Sequence, residues 1–195
     1  MTTDPAGGRR ATTRERILTT AYDLFSRRGI RAVGVDEIIA RSGVAKATLY
    51  RHFPSKNDLV LAFLDDRERR WTRGVVEAGA RQRAETPLER LLAVFDVFDS
   101  WFHHADFEGC SFISVLLEMG PEHPAGTAST HHLANIRILV ERWAEEGGLR
   151  DPVEFAHSWH LLAKGSIIAA AEGDRTAARR ARRMAHHLID EHRPR

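Results

Sequence analysis

Between Val44 and Leu59 the chain reads VAKATLYRHFPSKNDL, and within a few helical turns this stretch gathers Lys46, Thr48, Tyr50, Arg51, His52 and Lys56. Lysine and arginine bring positive charge to anionic oxygens. Threonine bonds a base edge or a phosphate and offers its methyl to thymine, while Tyr50 and His52 donate to phosphate oxygens. Ala47 is small enough to let a backbone come close to the bases. The chemistry of the set is recognition of a nucleic acid, without bond making or breaking.

The elements around these residues must hold them on one face. Val44, Leu49 and Phe53 are the apolar positions that fasten a short helix, from about Lys46 to His52, to whatever precedes it. Pro54 disfavours helix at Phe53 and ends it. Ser55 then caps the next helix, with Asp58 three residues on; the free N–H groups of that helix start and the charge of Lys56 suit a phosphate. Upstream, Ile17, Leu18, Ala21, Leu24 and Phe25 recur at the spacing of one buried helical stripe, predicting a helix from about Thr13 to Arg28. A second helix is predicted over about Asp36 to Ser42, with Ile38 and Ile39 inward and Gly43 as its stop. Two short helices joined by a glycine turn make a helix-turn-helix, whose second helix is sized for the major groove.

The run IIARSGVAKATLYRHFPSKNDL, Ile38 to Leu59, resembles the DNA-binding signature of the TetR family of bacterial one-component regulators. Ile39, Ala40, Gly43, Val44, Thr48, Leu49, Tyr50, His52, Phe53, Ser55, Lys56 and Leu59 match its pattern. The sequence departs from it at Val35, Ser42 and Ala45; at Ala45 the pattern has the serine that caps the recognition helix, and Asp36 is expected to cap the second helix in place of a threonine. The resemblance implies a homodimeric repressor with DNA contacts at Lys46, Thr48, Tyr50, His52 and Lys56, and a C-terminal domain that binds a small-molecule effector. Charge and position add Arg51, and size adds Ala47.

Composition agrees with this division. Residues 1–52 hold ten Lys/Arg against five Asp/Glu, and the remainder nineteen against twenty-two, so a formal net charge of +2 hides a basic N-terminal end. The first dozen residues, MTTDPAGGRRAT, read as a flexible basic arm with no secretory h-region. No apolar run approaches a membrane span. The single cysteine, Cys110, excludes an intramolecular disulfide framework and fits a reducing interior, so a cytoplasmic location is expected.

Helix signals fill the rest. Thr12 with Glu15 and Thr86 with Glu89 form capping boxes, and Asp151-Pro152-Val153-Glu154 is expected to form another. Stops fall at Gly29, Gly43, Gly120-Pro121, Gly147-Gly148 and Gly173. Strand signals are nearly absent, so the expected fold is all-α with about nine helices: an arm and helix-turn-helix domain over 1–54, and a helical ligand-binding and dimerisation domain over 55–195. A long fourth helix, about Ser55 to Arg83, begins at the DNA and links the two.

In the larger domain, Phe98, Phe102, Phe112, Leu116, Trp143 and Trp159 are candidates to line an effector pocket, with Asp99, His103 and Glu118 to orient the ligand. Plain core packing is the competing reading of each aromatic taken singly. The last two helices, about Pro152–Glu172 and Asp174–Glu191, are expected to pair with those of a second copy. Gly165 and Ala169, with Ala163 and Ala170, allow close approach, while Leu161, Leu162, Ile167, Ile168, Leu188 and Ile189 supply apolar area. Arg179-Arg180 and Arg182-Arg183 read as a solvated face.

The sequence contains no Gly-x-Ser-x-Gly elbow, phosphate-binding glycine loop, dinucleotide fingerprint or His-Glu-x-x-His. Neither a catalytic residue, a cofactor nor a metal site is expected. Adjacent histidines such as His103-His104, His131-His132 and His186-His187 point about 100° apart on a helix, and only His157 with His160 has a chelating spacing. Cys110 reads as a buried small residue before a redox switch. The function expected is a regulator of a palindromic double-stranded DNA operator; an activator of the same architecture, an enzyme with a vestigial DNA-binding domain and a protein-binding adaptor are the alternatives.

Overall fold

A computed structural model describes residues 11–194, and the expected basic arm lies mostly outside them. Among the described residues the chain is all helical, with nine helices and no strand. They are α1 Thr13–Arg28, α2 Val35–Ser42, α3 Lys46–His52, a long α4, α5 Pro87–Phe102, α6 Ser111–Met119, α7 Pro124–Glu146, α8 Pro152–Ala171 and α9 Ala177–His192. Helix α4 runs through three consecutive segments: α-helical Lys56–Arg67, π-helical Glu68–Glu77 and α-helical Ala78–Arg83.

The described residues divide into two compact units, one ending at Phe63 and the other beginning at Leu64, with the division inside α4. The first unit reaches beyond the expected boundary at 54 because Leu59, Val60 and Phe63 are buried with it. Phe63 sets its ring edge-on to Tyr22 and Phe25 at centroid distances of 5.3 and 5.6 Å. In the second unit one apolar core joins α4, α5, α7, α8 and α9. Phe95, Phe98, Phe102, Trp143, Phe155 and Trp159 are its largest members.

Local signals explain most boundaries. The Thr12/Glu15 and Thr86/Glu89 boxes both form. Two expected caps do not. Asp151 takes a left-handed conformation, φ 48°, and its side chain caps nothing, so Pro152 alone marks the start of α8. Helix α2 starts at Val35 behind Gly34, which puts Asp36 inside the first turn, where its charge favours the positive helix end without capping it.

Candidate functional site

Helix α3 has seven residues and depends on its neighbours for stability, since an isolated helix so short does not persist. Leu49 is its buried anchor, 1% exposed, and Phe53 just beyond it is 2% exposed. The guanidinium of Arg14, on α1, lies 4.9 Å over the Phe53 ring. Gly43 makes the turn between α2 and α3 at φ 63° and donates its N–H to the Ile39 carbonyl at 3.1 Å. A Cβ there would meet no atom, so the left-handed backbone is the reason for glycine.

With Leu49 inward, Lys46, Ala47, Tyr50 and Arg51 stand exposed on one face, and Thr48 and His52 are half-buried at its margins. Positions 46 and 50, like 47 and 51, are one turn apart, so the four form a single outward stripe. Lys46 Nζ pairs with Asp36 Oδ1 at 3.4 Å across exposed surface. Helix α2 is braced by Glu37, which accepts from Arg28 at 2.6 Å and Arg41 at 3.0 Å. No side chain caps α3 at Ala45.

Ser55 and Asp58 form the expected reciprocal cap. The Asp58 N–H donates to Ser55 Oγ at 3.2 Å, and the Ser55 N–H to Asp58 Oδ2 at 2.9 Å. Lys56 is half-buried and donates to the Ile30 carbonyl at 2.6 Å, which ties the start of α4 to the loop after α1. Its structural role was not visible in the sequence, because the contact spans distant positions.

The second unit places the expected ligand-site residues in several different surroundings. Phe98, Phe102, Trp143 and Trp159 belong to the continuous apolar core, and Trp159 donates its indole N–H to the Leu91 carbonyl at 3.1 Å. Asp99 is held by Arg179 at 3.1 Å, and His103 is exposed with its ring nitrogen on the Asp99 carbonyl at 2.7 Å. These two polar candidates therefore serve the helix surface and the α5 terminus. Leu116 and Glu118 are half-buried on α6. Phe112 alone leads to a polar interior, because it stacks on His132 with ring centroids 5.0 Å apart.

Around His132 the structure gathers buried polar residues that the sequence reading missed. Glu68, Thr72, Ser129 and His132 are all more than nine-tenths buried. Asn135 Nδ2 donates to Glu68 Oε1 at 3.3 Å, and His132 Nε2 lies 3.3 Å from Asp65 Oδ1. Burial pushes the His132 imidazole below its ordinary pKa, against the pull of Glu68 and Asp65. Glu68 and Thr72 lie on the π-helical part of α4, a backbone form that recurs at functional sites. A polar residue in a helix reads as surface until its partners are known, and here they come from α7. Half-buried Trp71 and Trp101 also pack with their rings tilted by 50° and centroids 4.2 Å apart, with Arg67 over Trp71 at 4.8 Å.

Burial raises the Cys110 thiol above its ordinary pKa, which favours the neutral thiol over a reactive thiolate. His157 is exposed and His160 buried, so the two rings lie in different surroundings.

The expected association face is only partly available. Ile189, Ala163, Ala170 and Ile167 are buried in the chain's own core, and Leu162, Ala169 and Leu188 pack against it. Leu161, 66% exposed, and Ile168, 45% exposed, remain outward on α8 beside Gly165, and Met184 of α9 is exposed as well. The arginine run of α9 is outward but paired: Arg179 with Asp99, Arg182 with Asp96 and Arg180 with Asp174.

Residues 17–63 match the family model described as bacterial regulatory proteins, tetR family. The HTH-type transcriptional activator FasR of Mycolicibacterium smegmatis is 39% identical over 119 residues, 56% of this chain and 52% of that protein. The HTH-type transcriptional repressor Rv3405c of Mycobacterium tuberculosis is 40% identical over 96 residues, 46% of this chain and 51% of that protein. The matches thus span about half the length of these two relatives. The crystal structure of SCO4454, a TetR-family transcriptional regulator from Streptomyces coelicolor, superposes with a TM-score of 0.84 at 29% identity, covering 93% of this chain and 96% of that one. The helix-turn-helix of the first unit matches the tetR-family model, and the fold is shared with a TetR-family regulator across nearly the whole chain, which together support a TetR-family regulator.

Proposed function

We propose that the chain is a homodimeric transcriptional repressor that binds a palindromic DNA operator and is released by a small-molecule effector. The observation that carries the reading is the outward stripe of α3, where Lys46, Ala47, Tyr50 and Arg51 are presented by a helix anchored through Leu49. Each copy sets α3 in the major groove of one half-site, with the half-sites about one helical turn apart or a multiple of it. Lys46, Arg51 and Tyr50 meet phosphates and base edges, and Thr48 and His52 work from the margins of the stripe. Lys56 contributes charge near the start of α4 while bonded to Ile30.

Dimerisation uses the exposed apolar residues of α8 and α9, Leu161, Ile168 and Met184, with Gly165 permitting close approach. An effector bound in the second unit acts by preferring the DNA-incompetent spacing of the two reading heads, since equal affinity for both shifts nothing. The interior polar residues of α4 and α7 are the best-supported effector contacts. Residues Leu64 onward belong to that unit, and α4 carries the chain between it and the first.

Capture of sheared genomic DNA on the purified protein at low and physiological salt, followed by sequencing, tests the reading. A shared palindrome retained at physiological salt supports it; fragments held only at low salt and without a common sequence refute it. An activator is the second reading, favoured by the 39% identity to FasR. Transcription from the captured promoter with and without the protein separates the two.

A further inference from the structure

The interior of the second unit holds two hydrogen-bond acceptors that face each other. His132 Nε2 sits 3.3 Å from Asp65 Oδ1; with the ring proton on that side, facing the carboxylate, Nδ1 is left with a lone pair. That Nδ1 is 3.9 Å from Glu68 Oε2, too far for a hydrogen bond, and neither atom has a partner among the described residues. The other Glu68 oxygen, Oε1, takes Asn135 at 3.3 Å and has the Arg73 guanidinium at 4.0 Å. Glu68 is 5% exposed and His132 7%. Buried acceptors without donors are costly, and here two of them point at one place.

We propose that this place binds an amine- or ammonium-bearing ligand with a flat apolar body, whose N–H donors bridge Glu68 Oε2 and His132 Nδ1. The inference rests on the effector reading above and names the effector's class. A group with at least two N–H donors satisfies both acceptors at once, and a positive charge is matched by the Glu68 carboxylate. An anionic ligand meets repulsion from Glu68, and a ligand with acceptors alone leaves both atoms unpaired. Phe112, stacked on the His132 ring and itself buried, makes the surroundings of the two acceptors apolar and aromatic, which suits a flat apolar body. Thr72, one turn beyond Glu68, has a buried hydroxyl without a partner among the described residues and can bond a further polar group of the ligand.

The test is calorimetric titration of phenethylammonium chloride into the purified full chain, with 3-phenylpropionate as the anion of similar size. Phenethylammonium is expected to bind with a Kd of about 0.1–1 mM, as suits so small a probe, and phenylpropionate at least tenfold more weakly. Glu68→Gln, which keeps the side-chain shape, should weaken the cation about tenfold to a hundredfold. His132→Phe, which keeps the stacking on Phe112 and removes the acceptor, serves where Glu68→Gln does not fold, and should weaken it about tenfold.

Equal affinity for cation and anion, an unchanged Kd in a folded variant, or no cation binding up to about 10 mM overturns the proposal and leaves a site for water. Operator binding is measured on the same preparation. Protein that holds its operator but ignores phenethylammonium fails the ligand class alone. Protein that holds no specific DNA yet binds the cation through Glu68 fails the regulator reading alone.

Discussion

Arg51 gives the sharpest test of the DNA-reading face. It is exposed on α3 and makes no ion pair or hydrogen bond among the described residues, so Arg51→Ala should change folding stability by no more than about 0.5 kcal/mol. If Arg51 meets a phosphate in each half-site, a dimer loses two contacts. The slope of log affinity against log salt then becomes shallower by about 1.8, taking about 0.9 per phosphate on duplex DNA. Between about 50 and 200 mM salt, the wild type should lose about tenfold more affinity than the variant. Fluorescence anisotropy with a labelled operator over that range reads the slope, and urea unfolding checks the fold. Affinity and slope both matching the wild type would refute the placement of α3 in the groove.

Lys56→Ala provides a contrast, because the amine bonded to the Ile30 carbonyl is a structural tie, and its loss should cost about 1–3 kcal/mol of stability by urea unfolding. Asp36→Asn should tighten operator binding at low salt in the same anisotropy assay, since it frees Lys46 and removes a negative charge beside the phosphates. Under the dimer proposed above, Leu161→Glu should give a helical monomer by analytical ultracentrifugation with circular dichroism, because it places a charge on the exposed apolar face of α8 that the proposal buries. His160 is buried, and desolvation, with Lys164, Arg137 and His157 nearby, pushes its pKa down to about 3 from 6.5. The unfolded chain therefore binds the extra proton first, and stability present above pH 6.5 is lost as pH falls toward 3. Against a His160→Gln variant, the wild type should lose about 2 kcal/mol more between pH 7.5 and 5 by urea unfolding.

How far the sequence reaches depends on the range of the interaction. Helix stripes, the Thr12 and Thr86 boxes, the Ser55–Asp58 cap and the glycine turn at Gly43 involve residues within one or two turns of chain, so their residue types alone determine them. The same locality makes the α3 face legible, because burying Leu49 leaves only one outward stripe on so short a helix. Where a second local solution existed the sequence misled: Gly34 begins α2 ahead of Asp36, and the left-handed Asp151 turns its side chain away from the cap.

The site in the second unit was decided by tertiary structure. Aromatics such as Phe102 and Trp159 are strong signals in any helical domain, but burial against several helices at once makes them core. Asp99 and His103 are polar residues beside aromatic ones in the sequence, and only the fold shows that Asp99 pairs with Arg179 and that His103 sits on the Asp99 carbonyl at the α5 terminus. Ile189 and Ile167 similarly turn inward, while Leu161 and Ile168 stay exposed. Glu68, on the π-helical turn of α4, and His132, on α7, are separated by more than sixty positions, and no periodicity connects them. A charge in an amphipathic pattern reads as solvent-facing. Only the packing of one helix against another takes that charge out of water and sets an imidazole opposite it.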